Sequence, residues 1–360
     1  MNMPISNTKY EHSNTWNEIL SQGKVWQEVL HTLGQNGQVT SILEETSERE
    51  KWIFVGCGTS FYLAEAAALT WMGLTGQAAR AVPGSDVLLY PELVRAEGAK
   101  VQAVVISRSG KTSEAVRAAE VLKRDLEIPT VGITCAENSE LEQTCRTSVV
   151  LRAADEQSTV MTRSFTSMLV ALQYLAARRA GNHAFVEQLG RVAEQFAPRI
   201  LSVAAQVEAF VGAHSFADYV FLGQGAFHGI AREAALKVME MSCSYSQFFH
   251  ALEFRHGPKA IVSPETCLTF YLGETGYKEE AEVLGEMKEL GGVIVAICNR
   301  ASEGVRAASD LVVELNFADH ELALLAPYVV PSQMMGFFTG MRKGLNPDAP
   351  KNLTRVVMLE

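Results

Sequence analysis

Ser107-Arg108-Ser109-Gly110-Lys111-Thr112 sets three hydroxyl side chains around one glycine, at the end of an apolar run and the start of a helical stretch. In open α/β sheets that junction is where ligands bind. The N–H groups and dipole of a helix N-terminus attract an anion. Ser107, Ser109 and Thr112 add hydroxyl donors, and Gly110 lets backbone approach the guest closely. A phosphomonoester fits this chemistry. Ser and Thr are also common helix caps, so an ordinary capped helix is the competing reading. The loop is not a nucleotide P-loop, because the glycine needed five positions before Gly110 is Val105.

A second group lies on Ala231–Ser242, which reads as a helix. Glu233, Lys237 and Glu240 are spaced four and three apart and share one helix face. Ion pairs on a solvated surface have this spacing, and so do functional carboxylates in clefts. A third group is Glu253-Phe254-Arg255-His256-Gly257-Pro258-Lys259. A His before Gly-Pro sits in a rigid turn and suits proton transfer near neutral pH; a structural His fits the same pattern. His228 and His250 have no such setting and read as structural. Gly56-Cys57-Gly58-Thr59-Ser60 is another strand–helix turn. Its third dinucleotide-fingerprint position is Phe61, so nicotinamide binding is disfavoured. Thr59 and Ser60 either cap the helix or face the same ligand.

The elements that must position these groups occur twice. Phe54, Gly56, Gly58, Ala64, Ala67, Ala68 and Leu69 fall on Phe221, Gly223, Gly225, Ala231, Ala234, Ala235 and Leu236. Val104–Thr112 then falls on Phe270–Lys278 at nearly the same offset. Two matches in one order indicate a duplicated domain. The copies differ where chemistry is expected. Gly273, Glu274 and Thr275 replace Ser107, Arg108 and Ser109, so phosphate binding is expected in the first copy alone. Glu233 and Lys237 replace Ala66 and Thr70, so the second copy carries the charged helix.

Candidate strands are Trp52–Gly56, Ala79–Val82, Gln102–Ser107, Thr130–Thr134 and Ser148–Leu151, then Tyr219–Gly223, Gln247–Ala251, Cys267–Leu272, Val293–Cys298 and Leu311–Leu315. They are short and apolar on both faces, as in buried parallel sheets, and alternate with helices. The fold class is α/β, with two tandem doubly wound, flavodoxin-like parallel-sheet domains. The expected organisation is an N-terminal helical segment over 1–40, a first domain over 41–195, a second over 205–342, and an extended tail over 343–360 that closes the site. Helix is expected from about Arg163 to Val211, broken at Gly181-Asn182 and Pro198, and near Tyr328–Arg342.

The net charge of −10 argues against nucleic acid, which needs a basic face. Residues 1–6 lack a secretory start, and no apolar stretch reaches spanning length. The six cysteines form no CxxC pair and read as reduced thiols of a cytoplasmic enzyme. The eight histidines form no HExxH pattern, and no metal or cofactor is assigned.

From about residue 50 to the C-terminus the chain resembles the sugar isomerase (SIS) family. It is similar to the double-SIS isomerase half of the glucosamine-6-phosphate synthases and to stand-alone amino-sugar-phosphate deaminase/isomerases of the galactosamine-/tagatose-6-phosphate type. The resemblance rests on Cys57-Gly58-Thr59-Ser60, the Ser107–Thr112 loop, Thr162 to Thr166, Glu233-x3-Lys237-x2-Glu240, His256-Gly257-Pro258 and the Asn346-Pro347-Asp348 tail. It implies that Ser60, Ser107, Ser109 and Thr112 hold a sugar 6-phosphate, with Cys57, Gly58, Thr59, Arg108, Thr162, Glu233 and Arg355 lining the substrate site. It implies Glu240 as the base moving a proton between C1 and C2, Lys237 near the substrate oxygens, and His256 opening the ring from the neighbouring subunit of a homodimer. Arg355 stands where the synthases have a Schiff-base lysine, and Arg does not form that imine readily. The sequence as given offers no glutaminase segment, so ammonia rather than glutamine is the expected nitrogen partner. The expected activity is a ketose/aldose isomerase on a hexose 6-phosphate, most specifically a deaminase of an amino-sugar phosphate. The alternatives are a simple isomerase, a fructosamine-6-phosphate deglycase, or a non-catalytic sugar-phosphate sensor.

Overall fold

The structure, a computed structural model, describes residues 7–35 and 37–358; residues 1–6, read above for a leader, lie outside them. The first sheet comprises β1 (Lys51–Gly56), β2 (Ala78–Pro83), β3 (Val101–Ile106), β4 (Thr130–Thr134) and β5 (Thr147–Val150). Its order is β2-β1-β3-β4-β5, and every pairing is parallel. The second comprises β6 (Asp218–Gly223), β7 (Tyr245–Phe249), β8 (Thr266–Leu272), β9 (Val293–Cys298) and β10 (Leu311–Glu314). Its order, β10-β9-β8-β6-β7, is the same order traced from the other edge, again all parallel. The duplication read from the sequence therefore extends to topology. In each copy the chain reverses direction across the sheet after the first strand, and the crevice at that switch point is the expected ligand edge.

The central strands are hydrophobic on both faces because helices cover both. All six residues of β3 and all seven of β8 are buried. The sequence placement of β7 is two residues late. Its ladder with β6 runs from Asp218↔Tyr245 to Leu222↔Phe249, and the chain turns away at His250-Ala251, whose apolar neighbours had extended the run. The region from Arg163 breaks as expected into Arg163–Arg179, His183–Phe196 and Ile200–Ala213. The tail is not extended; it forms turns and bends. Its Asp348 accepts hydrogen bonds from Ser13 Oγ (3.0 Å), Asn14 N (2.9 Å) and Thr15 N (2.7 Å), so it caps the Asn14–Gln35 helix from a distant part of the chain.

The described residues fall into two compact units. Those within Lys24–Glu156, Arg163–Ala193 and Thr354–Glu360 form the first-sheet unit; those within Met1–Gly23, Gln157–Thr162 and Glu194–Leu353 form the second-sheet unit. The expectation that no apolar stretch reaches spanning length does not hold: Glu321–Arg342 is long and apolar enough to cross a membrane by length and composition, and 94% of its apolar window is buried inside the protein. It contains the Leu325–Arg342 helix, which packs on Ala226–Ser242.

Candidate active site

In the first-sheet unit the Ser107–Thr112 loop leaves β3 and leads into the Ser113–Arg124 helix. Thr112 occupies the N-cap position, yet its hydroxyl makes no cap hydrogen bond. Ser107 Oγ lies 3.5 Å from Thr112 Oγ1, and Ser109 Oγ accepts from Lys111 N at 3.2 Å. The hydroxyls are thus not spent on capping, which separates this loop from an ordinary capped helix. Gly110 has φ +60, and a Cβ there would stand 2.2 Å from Ser139 Oγ, so only glycine lets the loop close over the cap of the next helix. Ser60, 5% exposed on the turn after β1, has no hydrogen-bond partner for its hydroxyl among the described residues. Thr59 beside it is buried, and Gly58 is exposed with φ 54. The Cys57 thiol faces the wall; a Cβ on Gly84 would come 2.8 Å from its sulfur. Burial, helped by the charge of Glu114, pushes that thiol up to about 11 against one backbone bond from Gly84, so it stays protonated at neutral pH.

Arg108 is buried rather than displayed. Its guanidinium meets Glu156 Oε2 at 3.4 Å, and Glu156 also accepts from Ser164 N at 3.2 Å and from Ser164 Oγ. Arg108 Nη2 further donates to the backbone oxygen of Arg355 at 3.0 Å. The Arg355 side chain pairs with Asp155 at 3.1 Å and donates to Glu156 O. The tail also reaches the helix start, where Ser113 N donates to Val357 O at 3.3 Å. Asp155 and Glu156 were not singled out from the sequence. The available signal was an acidic pair just beyond the last strand of the sheet, with a counterpart in Asp319 and Glu321 of the second copy.

In the second-sheet unit the Ala226–Ser242 helix buries the charges that its duplicate lacks. The side chains of Glu233 and Lys237 are both 0% exposed. Lys237 Nζ lies 3.4 Å from Glu233 Oε1 and donates to Glu240 Oε2; the Glu240 side chain stays 18% exposed. This excludes the solvated-surface reading of the Glu/Lys ladder. Gly336 and Gly340 bring the Leu325–Arg342 helix against this one: a Cβ at Gly340 would stand 2.2 Å from Met241 O. An ammonium and a carboxylate taken out of water are expensive, and their mutual attraction often fails to compensate. A buried acid–base array kept despite that cost is suited to holding and moving a proton.

His256 is exposed between two short helical turns, and its ring makes no hydrogen bond with the described residues. Thr162 is buried, and its carbonyl accepts from Gln333 Nε2 at 3.2 Å. His228 and His250 stack with ring centroids 3.8 Å apart; burial, with His250 and Arg232 nearby, lowers His228 to about 4. Within their units, the structure gathers Ser107, Ser109 and Thr112 in one loop, joins Arg108 to Arg355, and joins Glu233, Lys237 and Glu240. It does not connect His256 to that last group.

A model described as the SIS domain matches residues 46–178 and 192–337, one match over each sheet. The chain belongs to the SIS domain family. It is 28% identical over 360 residues to a Streptomyces coelicolor protein carrying the provisional name D-galactosamine-6-phosphate deaminase AgaS, covering 94% of this chain and 91% of that one. It is 25% identical over 338 residues to the isomerizing glutamine–fructose-6-phosphate aminotransferase of Methanothermobacter thermautotrophicus, covering 92% of this chain and 55% of that protein. The chain therefore spans about half the length of the aminotransferases it matches. The solved structure of glucosamine-6-phosphate deaminase from Thermotoga maritima matches with TM-score 0.77 and 26% identity, over 96% of this chain and 100% of that one. Each of these names carries a sugar 6-phosphate.

Proposed function

We propose that this SIS-family protein is an amino-sugar-6-phosphate deaminase that isomerises as it deaminates. The observation that carries the reading is Lys237, buried between Glu233 and Glu240 on a helix whose duplicate has Ala66 and Thr70 at the matching positions. Ser60, Ser107, Ser109 and Thr112 hold the phosphate. Cys57, Gly58, Thr59, Arg108, Thr162, Glu233 and Arg355 complete the substrate's surroundings. His256 assists ring opening. Glu240 takes the proton from C2 of the open-chain aldose and returns it at C1 through an enolamine. Water then adds to the resulting C2 imine, ammonia leaves, and a ketose 6-phosphate remains. Lys237 holds Glu240 in place and stabilises charge on the substrate oxygens. The likeness to two proteins named as deaminases, over nine-tenths of their length or more, supports this choice within the family. No cofactor is needed for such a proton transfer. The working form is a cytoplasmic homodimer, with His256 acting across the twofold interface; its exposure and its lack of a hydrogen-bond partner among the described residues support that role.

A panel of hexose and hexosamine 6-phosphates tests the reading. Ammonia and a ketose phosphate should appear together from an amino sugar. Ketose formation from a neutral aldose phosphate alone, without ammonia from any amino sugar, would make the protein a simple isomerase. Released amino acid from a fructosamine 6-phosphate would make it a deglycase, and no turnover at all a sensor. Mixing His256→Ala with Glu240→Gln chains should restore up to about half of wild-type activity per mixed dimer. No recovery after verified exchange would place both residues in one chain's site.

A further inference from the structure

The second sheet has a ligand edge of its own, and a cavity of about 210 Å³ lies there, lined by Gln224, Phe227, Thr275, Glu280 and Glu321. It opens at the carboxyl ends of β6 and β8, the place in the fold that the Ser60 turn and the Ser107–Thr112 loop occupy in the first copy. The backbone repeats as well: Gly225 has φ 56 and ψ −131, against φ 54 and ψ −126 for Gly58. Thr275 corresponds to Ser109. Here, however, a carboxylate is already seated. Thr275 N donates to Glu321 Oε2 at 3.0 Å, and Thr275 Oγ1 donates to Glu321 Oε1.

The first copy shows why its own acid does not do the same. Glu156 follows the last strand of its sheet as Glu321 follows β10, but Arg108 and Ser164 hold it. At the position of Arg108 the second copy has Glu274, which accepts from Asn299 Nδ2 at 2.8 Å and is thereby turned aside. Among the described residues no guanidinium draws Glu321 off the turn. A further group also faces the cavity. Glu280 is 2% exposed, and its Oε2 has no hydrogen-bond partner among the described residues. Burial, reinforced by Glu321 and Glu279 against a backbone bond from Gly273, pushes its carboxyl up to about 8. It therefore keeps its proton at neutral pH and has a donor to offer an incoming oxyanion.

We propose that the second sheet carries a complete oxyanion cradle whose resident ligand is the chain's own Glu321 carboxylate, and that removing this carboxylate admits inorganic phosphate. The proposal uses the phosphate reading of the Ser107–Thr112 loop only to set the correspondence between the copies. Its consequence for function is that the half carrying the buried Glu/Lys array is sealed against a second phosphorylated ligand. The anion is then excluded by Glu321 and not by the exposed Glu274.

Calorimetric titration of the whole protein with inorganic phosphate tests it. Wild type should bind one phosphate per chain and Ser109→Asp none. Ser109→Asp/Glu321→Ala should regain one per chain, and Glu321→Ala alone should bind two. If Ser109→Asp binds like wild type, the reading of the first loop fails while the comparison of Glu321 variants still stands. If a folded Glu321→Ala protein binds no more phosphate than its parent at any concentration that leaves the fold intact, the proposal is overturned. Glu321→Gln keeps the volume should the alanine variant not fold. Its amide leaves one Thr275 donor open, so it should also gain a site, with weaker affinity, and no gain there would count equally against the cradle.

Discussion

The two sheet edges start from one plan and end in opposite chemistry. At the first, the acid beyond the last strand is tied to Arg108 and Ser164, and the hydroxyls of the loop remain available. At the second, the arginine is Glu274, the acid Glu321 lies on the turn, and charge has moved onto the following helix as Glu233, Lys237 and Glu240. A duplicated domain can divide labour with few substitutions, because the ligand edge and the helix behind it are set by topology. The copies differ at the Arg108/Glu274 position, and the acid is held by Arg108 and Ser164 in one and lies on the turn in the other.

The sharpest way to break this comparison is to free Glu156. Arg108 and Glu156 are both buried, so Arg108→Ala removes a buried cation from beside a buried carboxylate and should cost about 3–5 kcal/mol of stability. Replacing both, as Arg108→Met with Glu156→Gln, should recover most of that loss. Removing the hydroxyl that holds Glu321 in the second copy with Thr275→Ala should cost only about 1 kcal/mol, because Thr275 is exposed. Urea unfolding of the set decides the matter; equal losses in the two copies would mean that the buried pair does not restrain Glu156.

Much of the frame was legible in the sequence because its signals are local. Strands buried on both faces show as short apolar runs, and β1, β3, β4, β6, β8 and β9 lie within a residue or so of where those runs placed them. The Ser107–Thr112 loop announced itself by composition at a strand–helix junction. Other features depend on partners far along the chain. Glu156 is 48 residues from Arg108, and the Asp348 cap is more than 330 residues from the helix start it holds. The Glu233/Lys237/Glu240 spacing is the same on a surface helix as on a buried one, so only packing against Leu325–Arg342 shows that Lys237 is enclosed. The shift in β7 has a milder cause: apolar residues continue past the last pairing with β6, so composition alone overran the ladder.

A smaller effect sharpens the account of the second edge. The Glu280 carboxyl ordinarily titrates near 4.5 and is raised to about 8 in the fold. Between those values the unfolded chain has lost the proton and the folded chain keeps it. The unfolded state then binds fewer protons, and stability falls as pH rises through that window, by at most about 1.4 kcal/mol per pH unit from this group. Glu280→Gln cannot ionise, so its urea midpoint should fall less than that of wild type from pH 5 to pH 8. Parallel pH profiles for the two proteins would contradict the burial of an uncompensated carboxyl there.

The division of labour is tested most directly by hydrogen exchange at C2 of the substrate in deuterated solvent, measured for Glu240→Gln alongside phosphate affinity. The amide keeps the shape of the side chain and removes the base. Phosphate binding should be unchanged, exchange at C2 absent, and kcat lower by about a hundredfold or more. Normal C2 exchange in a folded Glu240→Gln protein would show that the proton is moved by another residue and would contradict the account.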